Sequence, residues 1–84
     1  MPGTVVVRLA GSLSGAAGGP TEFEVPAGTI NQILERLLRQ QPVLEPVLED
    51  GVAVAVDGVV YQGDFSREVA DGAEVMLLSR IIGG

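Results

Sequence analysis

Asp71-Gly72-Ala73-Glu74-Val75-Met76-Leu77-Leu78-Ser79-Arg80-Ile81-Ile82-Gly83-Gly84 carries a turn, a strand and a tail in one run. Asp-Gly is a turn signal, and the alternation that follows places Val75 and Leu77 on one face of a strand and Met76 and Leu78 on the other. The two glycines that end the run lack Cβ atoms and adopt almost any backbone conformation, so they can thread a narrow channel and present a carboxylate to another enzyme. An isolated Gly-Gly is also what a frayed chain end looks like. The surrounding sequence has to decide between the two.

Working outward, the partner of this last strand is the first. Thr4 to Leu9 alternates Val5, Val7 and Leu9 against Thr4, Val6 and Arg8, the period of a strand with one face more apolar. GSLSGAAGGP over 11–20 reads as a long loop, and Thr21 to Val25 resumes the alternation through Phe23 and Val25. That glycine run lacks the lysine of a phosphate-binding P-loop and the G-x-G-x-x-G spacing. After a Pro26-Ala27-Gly28 turn, Thr29 and Gln32 have capping-box spacing, so a helix is expected from Ile30. Ile30, Ile33, Leu34, Leu37 and Leu38 form its apolar stripe, with Asn31, Gln32, Glu35, Arg36 and Arg39 on the solvated side and Pro42 as its end. Glu35 and Arg39 have the spacing of a helical ion pair.

Leu44, Val47 and Leu48 suggest a short helical turn against the core. Val52 to Val56, Asp57-Gly58 and Val59-Val60-Tyr61 read as a hairpin closed by a type I′ turn. Gly63 to Ala70 is an irregular connection holding Phe65. The first and last strands, as the clearest, are expected at the centre of the sheet, and parallel pairing between them requires the helical crossover. The result is an α+β fold, a β-grasp with a mixed four- or five-stranded sheet and one main helix on one face. Residues 1–79 form the domain and 80–84 a flexible tail. The helix should cover Val5, Val7, Val75 and Leu77, leaving Val6, Met76 and Leu78 open beside Arg8 and Arg80 as a docking face.

The bulk composition narrows the function. Eighty-four residues hold one compact domain, and a chain that is 46% apolar is not a disordered tail. Eleven acids against five arginines give a net charge of −6, which repels phosphate backbones, so nucleic acid is not an expected partner and a protein with a basic groove is. Cys, His, Trp and Lys are absent. Without Cys or His the chain lacks the usual nucleophile, the usual neutral-pH base and the commonest transition-metal ligands, so it is not expected to be an enzyme in its own right, and no bound cofactor or metal is expected. Glu45, Glu49 and Asp50 read as a solvated face rather than hard-metal ligands. No run reaches a membrane span and the start lacks a basic leader, so no membrane association and a cytoplasmic location are expected. The missing lysines leave the α-amino group as the single internal amine for an activated carboxyl end; an arginine-for-lysine bias of the genome is the plainer account.

Val54-Ala55-Val56-Asp57-Gly58, Asp71-Gly72-Ala73-Glu74-Val75 and the terminal Gly83-Gly84, at these spacings, resemble the MoaD/ThiS family of ubiquitin-like sulfur-carrier proteins, nearer the MoaD type. Relatives more often carry Asn where this chain has Asp57, and D-G-D-E-V where it has Asp71 to Val75. They also often approach the tail through a proline, where this chain has Ser79-Arg80-Ile81-Ile82.

The resemblance implies that an ATP-dependent, E1-like (MoeB/ThiF-type) activating enzyme adenylates the Gly84 carboxylate. A sulfur donor then converts it to a thiocarboxylate for a sulfur-accepting synthase subunit. Gly84 is then the reacting residue and Gly83 its slender neighbour, with Arg80, Ile81, Ile82, Met76, Leu78 and Phe65 meeting partners. ATP and the sulfur donor belong to the activating enzyme. The small subunit of molybdopterin synthase is the favoured specific role. A protein modifier joined to lysines through Gly84 and a non-covalent β-grasp interaction module are the alternatives.

Overall fold

The computed structural model describes residues 3–10 and 21–79. Five strands, β1 (Thr4–Leu9), β2 (Glu22–Pro26), β3 (Val52–Val56), β4 (Val59–Tyr61) and β5 (Glu74–Ser79), form one sheet in the order β2-β1-β5-β3-β4. β1 and β5 pair in parallel, with Val7 opposite Val75, and every other pairing is antiparallel. The two strands expected at the centre are neighbours there, and their parallel pairing is met by the crossover through α1 (Ile30–Gln40). A 3₁₀ turn (Pro42–Leu44) and the short α2 (Glu45–Asp50) lead from α1 to β3.

The capping box forms as the sequence predicts, the Thr29 hydroxyl accepting from the Gln32 amide and the Gln32 side chain from the Thr29 amide. The remaining free amides of the first turn find backbone partners. Ile30 donates to the Arg67 carbonyl at 3.0 Å and Asn31 to the Phe65 carbonyl at 2.9 Å, while Ile33 makes the first intrahelical bond, to the Thr29 carbonyl (2.9 Å). The irregular stretch between β4 and β5 is thereby stitched to the helix N-terminus, which is the reason it needs no regular structure of its own.

Ile30, Ile33 and Leu37 are buried against Val5, Val7, Phe23, Val25, Val54, Val75 and Leu77, and Leu44 closes the same core from the 3₁₀ turn. These are the positions the period-two and helical patterns assign inward.

Three local expectations need correction. β2 lies one residue later than the alternation suggested, because Thr21 joins β1 only through its carbonyl, 2.9 Å from the Leu9 amide, while Pro26 closes the ladder opposite Thr4. Proline is tolerated there because it ends an edge strand. Arg36 is half-buried rather than solvated. Its guanidinium turns back to donate to the carbonyls of Pro26 (3.2 Å) and Ala27 (2.8 Å). Glu35 and Arg39 form no ion pair; the three pairs among the described residues are Arg8 with Glu22, Arg8 with Glu74, and Arg67 with Asp64. An exposed helical pair gains too little to hold two long side chains in one geometry.

Candidate docking face and tail

Among the described residues, one face of the sheet carries the helix and the other carries none. Cross-strand register sorts the uncovered face into rows. Glu24, Val6 and Glu74 stand side by side across β2, β1 and β5. The next row runs Glu22, Arg8, Met76, Ala55, Val60 across all five strands, and Leu78 lies beside Ala53 beyond it. The face is charged on its β2-β1 side and, apart from Glu74 at the start of β5, apolar on its β5-β3-β4 side.

Among the described residues, Val6 and Val60 are the exposed large apolar residues of this face, at 37% and 51%. Met76 and Leu78 are half-buried rather than open, since β5 is the central strand and has neighbours on both sides. Arg8 lies flat across β2, β1 and β5, its Nε 3.0 Å from Glu22 Oε2 and its Nη1 4.0 Å from Glu74 Oε2.

β5, the strand that leads into the tail, is fastened at its start by the hairpin. Asp57 sits at φ 47° and Gly58 at φ 88°, both left-handed as a type I′ turn requires. The Asp57 amide donates to the Glu74 carbonyl (2.9 Å), and Asp57 Oδ1 accepts from the Glu74 amide (3.0 Å). Asp is among the few residues with a side chain that adopt this conformation readily.

Of the residues singled out in the sequence, Met76 and Leu78 share the uncovered face. Phe65 does not join them: it packs against the core on the helix side, where its carbonyl caps Asn31. Arg80, Ile81, Ile82, Gly83 and Gly84 lie outside the described residues. The sequence reading missed Val60, Ala53 and Ala55 as members of the face, and it missed the clamp on Arg8. Val59-Val60-Tyr61 is apolar throughout, so alternation assigns it no face; the Asp57-Gly58 turn, which sets Val56 against Val59, was the signal available. Among the described residues no group of Asp and Glu has metal-binding geometry, and no helix is long and apolar enough to cross a membrane.

A mixed sheet with central parallel β1 and β5, one helix packed on one face and a crossover between them define a ubiquitin-like β-grasp protein. Solved structures of this fold match nearly end to end. The crystal structure of SAMP1 from Haloferax volcanii has a TM-score of 0.78 at 24% identity, covering 98% of this chain and 100% of that one. The solution structure of small archaeal modifier protein 1 from Methanosarcina acetivorans has a TM-score of 0.76 at 22% identity, covering 100% and 99%. A chain in the complex of subunits 1 and 2 of molybdopterin-converting factor from Helicobacter pylori has a TM-score of 0.69 at 22% identity, covering 96% and 99%. The resemblance read from the hairpin, the Asp-Gly turn and the last strand is thus borne out in the fold. No family model matches the chain, and no curated protein is significantly similar to it in sequence.

Proposed function

We propose that this chain is a sulfur carrier. The observation that carries the reading is the position of Gly83-Gly84, a few residues past Ser79, the last residue of the central strand of a ubiquitin-like sheet. Fully extended, 80–84 reach roughly 17 Å, enough to enter a buried active site while the domain docks outside.

In the first step the Gly84 carboxylate attacks the α-phosphorus of ATP in an E1-like enzyme, forming an acyl-adenylate and releasing pyrophosphate. In the second, the terminal sulfur of a donor persulfide attacks the acyl carbon and AMP leaves. A thiol then attacks the inner sulfur of the resulting acyl persulfide, which releases the thiocarboxylate and a disulfide. The domain supplies the docking face, and the partner supplies ATP and the catalytic groups. A sulfur-accepting synthase subunit is the recipient, and the small-subunit role in molybdopterin synthase is favoured because one structure of this fold is a chain of a molybdopterin-converting factor. The chain acts as a co-substrate in the cytoplasm.

A second reading has its own support, since two structures of the same fold are named archaeal modifier proteins. Attack of a target lysine on the same acyl-adenylate would join Gly84 to it by an isopeptide bond. With no lysine of its own, the chain would be a single tag.

The test is intact mass with and without a thiol alkylator, after incubation with the activating enzyme, ATP and a sulfur donor. Replacement of one oxygen by one sulfur is expected, alkylatable and lost when Gly84 is deleted. Because the chain has no cysteine, that sulfur is its one group alkylated readily at neutral pH, which separates it from oxidation of Met1 or Met76. Absence of the shift refutes the carrier reading, and lysine-linked adducts blotted from cells support the modifier reading.

A further inference from the structure

β2 lies at one edge of the sheet, where outward backbone groups can template a further strand. The Leu9 amide donates to the Thr21 carbonyl and the Ala27 amide to the Gly3 carbonyl, so Thr21, Phe23, Val25 and Ala27 turn their backbone groups toward β1. Glu22, Glu24 and Pro26, between them, turn theirs away. Two of these outward carbonyls are already taken by side chains of α1. Gln40 Nε2 donates to the Glu24 carbonyl (2.9 Å), and Arg36 Nη1 donates to the carbonyls of Pro26 (3.2 Å) and Ala27 (2.8 Å). Arg36 and Gln40 stand one helical turn apart, so both reach the strand from one side of α1. β4, at the other edge, has three residues and turns outward the backbone groups of Val60 alone, because the tight hairpin commits those of Val59 and Tyr61 to β3. That is too short to template a ladder.

The two capped carbonyls belong to one pairing. Two copies of β2 laid antiparallel about a two-fold axis at Glu24 would set Glu24 against Glu24 and Glu22 against Pro26. Proline has no amide hydrogen, so the bonds of that ladder would run from the Glu24 amide to the Glu24 carbonyl and from the Glu22 amide to the Pro26 carbonyl, in both directions. Its acceptors are the carbonyls that Gln40 and Arg36 hold. The two Glu24 carboxylates, opposite each other, would add repulsion. We infer that Gln40 and Arg36 close the β2 edge against a second copy of this chain, so that the domain does not join another sheet to sheet.

The test is sedimentation velocity over a concentration series, with heteronuclear NMR of the Glu22 and Glu24 amides to locate any contact. Glu24→Thr removes the repulsion and keeps the caps, and it should associate no more than the parent. Adding Gln40→Met and Arg36→Met, which keep the apolar bulk and remove the donors, should lower the Kd of self-association at least about tenfold, with the Glu22 and Glu24 amides protected from exchange. Glu24→Thr with Gln40→Met alone should gain about threefold. Gln40 is exposed, so this second variant carries the test if loss of Arg36 unfolds the domain, which melting followed by circular dichroism will show.

If Glu24→Thr by itself associates as tightly as the uncapped variants, charge and not the caps closes the edge, and the inference is overturned. It is overturned too if the uncapped variants associate no better than Glu24→Thr, or do so without protecting these amides. A parent chain whose Glu22 and Glu24 amides become protected as it associates would show an edge that is open with the caps in place.

Discussion

Replacing Asp57 by alanine removes two contributions whose sizes follow from the hairpin geometry. The first is the bond from Asp57 Oδ1 to the Glu74 amide, 3.0 Å long and exposed, so the orphaned amide can turn to water and the loss is that of an ordinary bond, about 1 kcal/mol. The second is conformational. Asp57 sits at φ 47°, where alanine pays the full left-handed cost and aspartate is partly relieved, a difference of about 1 kcal/mol. Together Asp57→Ala should cost about 2 kcal/mol, a fall in melting temperature of about 8–16 °C for a domain of this size. Asparagine keeps both the acceptor oxygen and the tolerance of positive φ, so Asp57→Asn should stay within about 0.5 kcal/mol of the parent. Urea unfolding followed by circular dichroism measures both. If asparagine loses as much as alanine, the carboxylate's charge and not its hydrogen bond holds the hairpin to β5, and the reasoning fails. An alanine variant within about 0.5 kcal/mol of the parent refutes it equally.

Other consequences are as direct. Met76→Asp should raise the KM for the chain in ATP–pyrophosphate exchange by about tenfold while melting stays cooperative, since Met76 is half-buried on the uncovered face; an unfolded variant would show that β5 faces the other way. Gly28→Ala sets a new Cβ 2.5 Å from Gln32 Oε1 and 2.8 Å from Arg36 Nη1, which must swing out of the capping box and off the Ala27 carbonyl, and should cost about 1–2 kcal/mol in urea unfolding. Leu44→Ala, at a fully buried position between α1 and β3, should cost about 2–5 kcal/mol, whereas Val43→Ala beside it, 56% exposed, should change stability by less than about 0.5 kcal/mol; equal losses would contradict the packing described.

Much of this molecule is legible one strand or helix at a time. Val5, Val7 and Leu9 announce a strand and its inner face by alternation, Thr29 and Gln32 announce the helix start by spacing, and Asp57-Gly58 announces a tight hairpin by its tolerance of positive φ. These signals are local, because side-chain direction along a strand or helix depends on a few consecutive dihedrals and needs no knowledge of distant residues. The proposed role of the tail is read from local signals in the same sense, the residue types of Gly83 and Gly84.

What the chain sets side by side across the sheet is not local. Arg8 meets Glu22 and Glu74 only because β1 lies between an antiparallel and a parallel neighbour in one register, and a slip of one residue would turn each to the other face. Arg36 reads as a solvated helical residue until the turn before the helix brings two bare carbonyls beneath it. Phe65 reads as a docking aromatic until its loop folds back over the helix N-terminus and spends it on the core. Sequence by itself determined the elements and their inner faces. Only the tertiary structure decided which charges share the uncovered face, because that depends on the order and register of strands joined through segments far apart in the chain.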